Sequence, residues 1–250
     1  MKAVPIHHLW KLMPGVWVCV VFCFFAEFSK NSWAETTLEF DVNFVVLTQN
    51  PALHKGLTLS QVQSEVDILN TYFVGEAGER PVRFRFKNAS FLDQKIDPSC
   101  KGLMALGDFA SAYDGRRFKA RFDDCKDSRI ADPSAINFYV YDSYEAGKGF
   151  LDITSHGHFH AGKPLVVMDW ERLGHRTQSP EEHEMGHAFG LDHVCAVGAT
   201  LDTPTNIMAS HDCGRGSGGQ RNIGFNASQI DIIRSKARVI WQSFQKAQTP

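Results

Sequence analysis

The stretch His183-Glu184-Met185-Gly186-His187-Ala188-Phe189-Gly190-Leu191-Asp192-His193 decides how this chain is read. His183 and His187 stand four residues apart, so on an α-helix both imidazoles project from one face, one turn above the other, and can share a metal ion. Glu184, beside the first ligand, is displaced from that chelate yet can reach a water on the ion and take its proton. Gly190 permits a positive φ, which ends the helix and swings His193 back as a third ligand. Three protein ligands leave a fourth position open, as a catalytic rather than a structural zinc requires. Ser179, Pro180 and Glu182 read as N-cap, first helical residue and capping-box partner, so the sequence marks both ends of this helix.

The run is similar to the extended zinc-binding signature of the metzincins, a clan of secreted metalloendopeptidases. The clan's second mark, a methionine turn, is matched by Asn206-Ile207-Met208-Ala209-Ser210, with Met208 fifteen positions after His193. The resemblance implies an α+β, metzincin-like zincin domain: a twisted mixed β-sheet with an edge strand over the cleft, an active-site helix, a Met-turn and a C-terminal helix. It also implies a zinc-dependent endopeptidase in which His183, His187 and His193 hold Zn2+, Glu184 is the general base and Met208 packs beneath the imidazoles. Protein or peptide substrates would lie along the edge strand as an added β-strand. Asn137-Phe138-Tyr139-Val140-Tyr141, Asp202-Thr203-Pro204 and the turn followed by Asp212-Cys213 resemble the pappalysin branch more loosely. Val194 fits none of the matrixin, astacin, adamalysin or serralysin habits, and Ser210 replaces the tyrosine that several subfamilies place two residues past the methionine. The alternative from another class is an exported binding module that keeps the fold without turnover; an intact Glu184 argues against it.

Length and composition bound the rest. At 250 residues and 43% hydrophobic content the chain has apolar material for one sizeable domain, and no linker-like stretch divides it. Residues 1 to 34 read as a cleaved secretory signal: Lys2 and Lys11 precede the apolar run Val16–Phe25, and Ser32-Trp33-Ala34 supplies small residues at a signal-peptidase spacing. A ten-residue apolar run is short for a bilayer, which disfavours an uncleaved anchor, and neither Cys19 nor Cys23 follows a small residue as a lipoprotein site needs. The expectation is a secreted or periplasmic monomer, with residues 35 to 250 as a single catalytic domain and no stable membrane insertion after cleavage. The formal charge is −2 for the whole chain and +2 for the signal, hence −4 for the remainder, so no basic excess invites nucleic acid. Cys100, Cys125, Cys195 and Cys213 remain outside the signal and suggest two disulfides among three connectivities. Proximity along the chain favours Cys100 with Cys125 and Cys195 with Cys213.

Leu38, Phe40, Val42, Phe44 and Val46 alternate along residues 38 to 48 as a half-buried strand. Thr58 and Gln61 stand at capping-box spacing before Val62, Val66, Leu69 and Phe73, which predicts a helix ending near Gly75. Val82, Phe84 and Phe86 alternate with Arg83, Arg85 and Lys87, a strand whose cationic face reads as solvated. Residues 92 to 134 read as an irregular, disulfide-tied insertion with one short helix. Ile136, Phe138 and Val140 give a further strand, and Leu165-Val166-Val167-Met168 an interior one. Between them, Ser155-His156-Gly157-His158-Phe159-His160 is the edge strand. Its alternating His156, His158 and His160 would face one side and line the cleft as substrate-binding residues, with a second zinc or copper site as the alternative. His175 and His211 could border the cleft or lie on the surface, and Asp192 and Asp202 lack the oxygen-rich loop that calcium needs. Asn226 reads as the N-cap of a terminal amphipathic helix in which Ile230, Ile233, Ala237, Ile240 and Phe244 recur near helical spacing.

Overall fold

Alternation in the first strand, β1 (Leu38–Leu47), sends Phe40, Val42, Phe44 and Val46 to one face and Val45 to the other, and all five are buried. A strand buried on both faces belongs inside a sheet covered on both sides. In the computed structural model, which describes residues 37–47, 57–92, 97–104, 122–141, 144–145, 149–150, 155–160, 162–174, 180–210 and 217–249, that sheet has five strands. Their order is β2 (Val82–Leu92), β1, β3 (Ile136–Tyr141), β7 (Lys163–Asp169) and β6 (Ser155–His160). The pairs of β1 with β2, β1 with β3 and β3 with β7 are parallel, whereas β6 runs antiparallel to β7 and closes one edge. The mixed sheet and its edge strand are thus those expected. A two-stranded hairpin of β4 (Tyr144–Glu145) and β5 (Gly149–Phe150) was not anticipated.

Helices cover the face that carries Phe40, Phe44, Phe138, Val166 and Met168. They are α1 (Leu59–Tyr72), α3 (Pro180–Ala188) and α4 (Ala227–Gln248), with a short α2 (Lys101–Met104) elsewhere. The expected Thr58/Gln61 capping box starts α1, and a second box formed by Asn226 and Gln229 starts α4. Aromatic edge-to-face contacts join the layers: Phe40 meets Phe189 at 5.5 Å between ring centroids and Phe73 meets Phe225 at 4.7 Å.

The opposite face is covered by the described part of residues 92 to 134. That part carries the expected disulfide and short helix and also covers the sheet: Cys100, Leu103, Phe122, Cys125 and Ile130 form a second core with Val45, Tyr139, Tyr141, Leu165 and Val167. Buried polar groups fix its position. Asn43 Nδ2 donates to Asn137 Oδ1 at 3.0 Å, Asn137 Oδ1 also accepts from the Asp132 amide at 2.9 Å, and Tyr139 Oη donates to the Ile130 carbonyl at 2.7 Å. The cationic side chains of β2 are exposed as expected, with Arg85 2.7 Å from Asp41 and Lys87 2.7 Å from Asp132.

Cys100 and Cys125 form the expected disulfide. Cys195 is also disulfide-bonded, while Cys213, its expected partner, lies outside the described residues. Residues 1 to 34, Ser179, His175 and His211 lie outside them too, as do the side chains of His156, His158 and His160. The Cys100–Cys125 bridge closes a separation of 25 residues, so loop-closure entropy predicts that Cys100→Ala/Cys125→Ala loses roughly 3.5 kcal/mol of stability. Urea unfolding of the double variant beside the oxidised parent measures this; equal midpoints would contradict it.

Candidate metal centre

The residues of α3 face an interior that leaves them few conformations, and His183 is only 2% exposed. Its Nδ1 lies 2.7 Å from the Ile207 carbonyl oxygen, and the Nδ1 of His187 lies 2.7 Å from the Leu191 carbonyl oxygen. A carbonyl only accepts, so both rings carry their proton on Nδ1 and present a lone pair at Nε2. The Nε2 atoms of His183 and His187 are 3.2 Å apart, and those of His183 and His193 are also 3.2 Å apart. Lone pairs facing each other at that range repel unless a cation lies between them. Metal–nitrogen bonds of 2.0–2.1 Å in a tetrahedron give ligand–ligand edges of about 3.3–3.4 Å, close to these separations. His183, His187 and His193 therefore form a donor set suited to a metal ion, all three ligand atoms lying within 4.8 Å of one another. Burial falls from His183 through the half-buried His187 to the exposed His193, so the centre opens to solvent on the His193 side.

Electrostatics favour the same protonation states. Burial pushes the His183 imidazole down to about 2, with the positive charge of Arg221 acting in the same direction and the hydrogen bond to Ile207 opposing it. Burial likewise lowers His187, against the pull of its bond to Leu191. Both rings are neutral at physiological pH, as metal ligation requires.

The end of α3 delivers the third histidine. Gly190 has φ +79°, the Leu191 amide donates to the Gly186 carbonyl at 3.0 Å and the Gly190 amide to the His187 carbonyl at 2.8 Å, the paired bonds of a Schellman motif. The same turn aims the Leu191 carbonyl at His187, so one local structure both orients the second ligand and reverses the chain toward His193. At the other end, Glu182 corrects the expected capping box. It is fully buried, and among the described residues its carboxylate oxygens find no partner other than its own backbone amide, while Ser179, the expected N-cap, lies outside the described residues. Burial, then the neighbouring Glu181, raises its pKa well above the usual carboxylate range.

The turn around Met208 lies against this helix. Met208 is fully buried, and a Cβ at Gly186 would stand 2.5 Å from its sulfur, so the thioether packs directly on the helix that carries the ligands. The preceding residue, Ile207, supplies the carbonyl that orients His183. The segment after His193 is tied to the segment after the turn by the parallel pair β8 (Val194–Cys195) and β9 (Ala209–Ser210), and the Val194 amide donates to the Met208 carbonyl at 2.8 Å. Glu184 follows His183 on the helix and is 6% exposed.

Two contributors escaped the sequence reading. Gly157, in the middle of β6, lets the strand backbone touch α3: a Cβ there would collide with the Glu184 carbonyl and stand 3.0 Å from His187 Cβ. An isolated glycine inside a strand is the signal that could have marked this approach. Arg221 has φ +50°, uncommon for a residue with a side chain, and its Nε donates to the Ala209 carbonyl at 2.8 Å. No local pattern announces it.

His183, His187 and His193 match the metzincin histidine pattern, and the order of edge strand, ligand helix, methionine turn and C-terminal helix is the one that resemblance implies. No protein-family model matches the chain, and no curated protein does. Among solved structures, mirolysin in complex with a compound overlaps 86% of this chain and 99% of its own, at 13% identity and a TM-score of 0.47. Archaemetzincin from Archaeoglobus fulgidus, complexed with malonate, overlaps 77% of this chain and 99% of its own, at 15% identity and a TM-score of 0.36. Both scores lie below 0.5, so the reading of the site rests on its own residues.

His183 stays neutral when folded but takes up a proton near pH 6.5 when unfolded. Between those two values the unfolded state binds the extra proton, so the metal-free protein loses stability as pH falls below about 6.5, by up to ~1.4 kcal/mol per pH unit from this group. Urea denaturation between about pH 7 and pH 5 reads this slope, and His183→Ala is expected to flatten it; equal slopes for both proteins would refute the assignment. Gly157→Ala should cost roughly 1–3 kcal/mol by forcing β6 away from α3, and should weaken metal binding as well; a variant matching the parent in both would remove Gly157 from the site.

Proposed function

We propose that this chain is a zinc-dependent endopeptidase, exported through residues 1 to 34, with residues 35 to 250 as its single catalytic domain. The observation that carries this reading is the convergence of three Nε2 atoms, two of them committed as lone-pair donors by Nδ1 bonds to backbone carbonyls. Imidazole ligands at these separations suit zinc, and three of them leave a coordination position for water and substrate. Bound there, zinc would supply a Lewis acid for the scissile carbonyl and bring the pKa of its water down to about 7.

The chain's own residues supply the rest. His183, His187 and His193 hold the ion without contributing charge, so its full positive charge remains available to the reacting carbonyl. Glu184 accepts the proton of the attacking water and returns it to the departing amine. The edge strand β6 offers backbone groups along the side of the ligand helix, where an extended substrate segment could pair as a further strand. Export is supported by the Cys100–Cys125 disulfide, which belongs in an oxidising compartment. No helix among the described residues is long and apolar enough to cross a membrane.

Glu184→Ala separates catalysis from metal binding. It is expected to keep one zinc per chain while losing about a hundred- to ten-thousandfold of the cleavage rate on an unstructured protein. Chelation should abolish cleavage by the parent and zinc should restore it. Equal rates for parent and variant would refute the role of Glu184, and a zinc-loaded parent that cleaves nothing would favour a binding module.

A further inference from the structure

Building on the metal-binding reading, we infer that Gln229, on the C-terminal helix, is a positioning residue for the metal centre, acting through Asn206 and the methionine turn on His183. The two side-chain amides meet in a reciprocal pair: Asn206 Nδ2 donates to Gln229 Oε1 at 2.9 Å, and Gln229 Nε2 donates to Asn206 Oδ1 at 3.1 Å. Backbone groups fix the polarity of both amides. Asn206 Oδ1 also accepts from the Met208 amide at 2.9 Å and Asn206 Nδ2 also donates to the Gly224 carbonyl at 2.9 Å, while Gln229 Oε1 accepts from the Asn226 amide at 2.9 Å. Neither amide can flip without setting an acceptor against an acceptor or a donor against a donor.

Gln229 is therefore shared between two tasks. Its Oε1 completes the capping box of α4, and its Nε2 holds the side chain that folds the turn. The turn residue between Asn206 and Met208 is Ile207, whose carbonyl sets the tautomer and plane of His183. A path of three short contacts thus joins the start of α4 to the most buried of the three histidines: Gln229 to Asn206, Asn206 to the Met208 amide, and the Ile207 carbonyl to His183 Nδ1. Gln229 is itself 6% exposed, so solvent does not readily replace a lost bond.

Gln229→Glu tells the two tasks apart. Glutamate is the commonest partner in a capping box and is favoured near a helix N-terminus, so a residue that only caps α4 would tolerate the change or gain stability. A carboxylate, however, places an oxygen against Asn206 Oδ1 where the Nε2 donor stood. The expected result is a zinc dissociation constant raised about tenfold, the low end of the range for residues that orient metal ligands. In the metal-free protein, nitrogen-15 NMR of His183 should show its Nδ1–H tautomer losing population. Thr58→Ala, which weakens the distant cap of α1, serves as a control that lowers stability and leaves both readouts unchanged.

Zinc affinity and His183 tautomer equal to the parent's in Gln229→Glu would overturn the inference, as would losses of affinity in Gln229→Glu and Thr58→Ala that merely track stability. A parent that binds no zinc would overturn the proposed function together with it. Should Gln229→Glu fail to fold, Gln229→Met removes both bonds to Asn206 and leaves the Met208 and Gly224 contacts of Asn206 in place, and the same outcomes decide.

Discussion

Two hydrogen bonds from imidazole Nδ1 to backbone carbonyls are the constraint on which the centre depends. Three histidines near one another could adopt many ring orientations and two neutral tautomers each. The Ile207 and Leu191 carbonyls remove that freedom for His183 and His187, leaving two Nε2 lone pairs directed into one small volume. Their 3.2 Å separation is close to the ligand–ligand edge of a tetrahedral metal site. Burial strengthens the arrangement because it also suppresses the protonated imidazolium that would compete with the metal.

The sheet explains how two loop carbonyls can be placed so accurately. Helices α1, α3 and α4 share one face, and the disulfide-tied cover occupies the other, so β1, β3 and β7 are buried on both sides and offer a rigid floor. Against that floor the antiparallel edge strand touches α3 through Gly157, backbone to backbone. One side of the helix is thereby set by a contact that no flexible side chain mediates. On its far side, Lys236 of α4 places its stem against Gly190 and its ammonium 4.8 Å from the centre of the Phe159 ring on β6, so α4 touches both the helix exit and the edge strand.

The parts legible in the sequence were those whose chemistry is local. Ligand spacing, the positive φ of Gly190, the capping box of α1 and the alternation in β1 and β2 depend on residues within a few positions of one another, and the structure shows each of them. The parts that were hidden depend on partners far along the chain. A backbone carbonyl such as that of Ile207 has no residue signature, and the Asn206–Gln229 pair joins two amides that look like ordinary polar positions. Glu182 shows how local logic can mislead: its spacing suits a capping box, but packing turned it inward beside Glu181. Residues 92 to 134 carry no periodicity that says where Leu103, Phe122 and Ile130 pack, and only the fold places them beneath the second face of the sheet.

The dependence of His183 on the turn at 206–208, and of that turn on the first residues of α4, also has a meaning in time. The ligand helix leaves the ribosome well before residue 207, and Gln229 emerges later still. Until then the residues of α3 lack the groups that orient His183 in the folded chain. The histidine motif is therefore complete along the chain before the groups that fix its first imidazole exist, and the orientation of His183 belongs to the folded domain rather than to its helix alone.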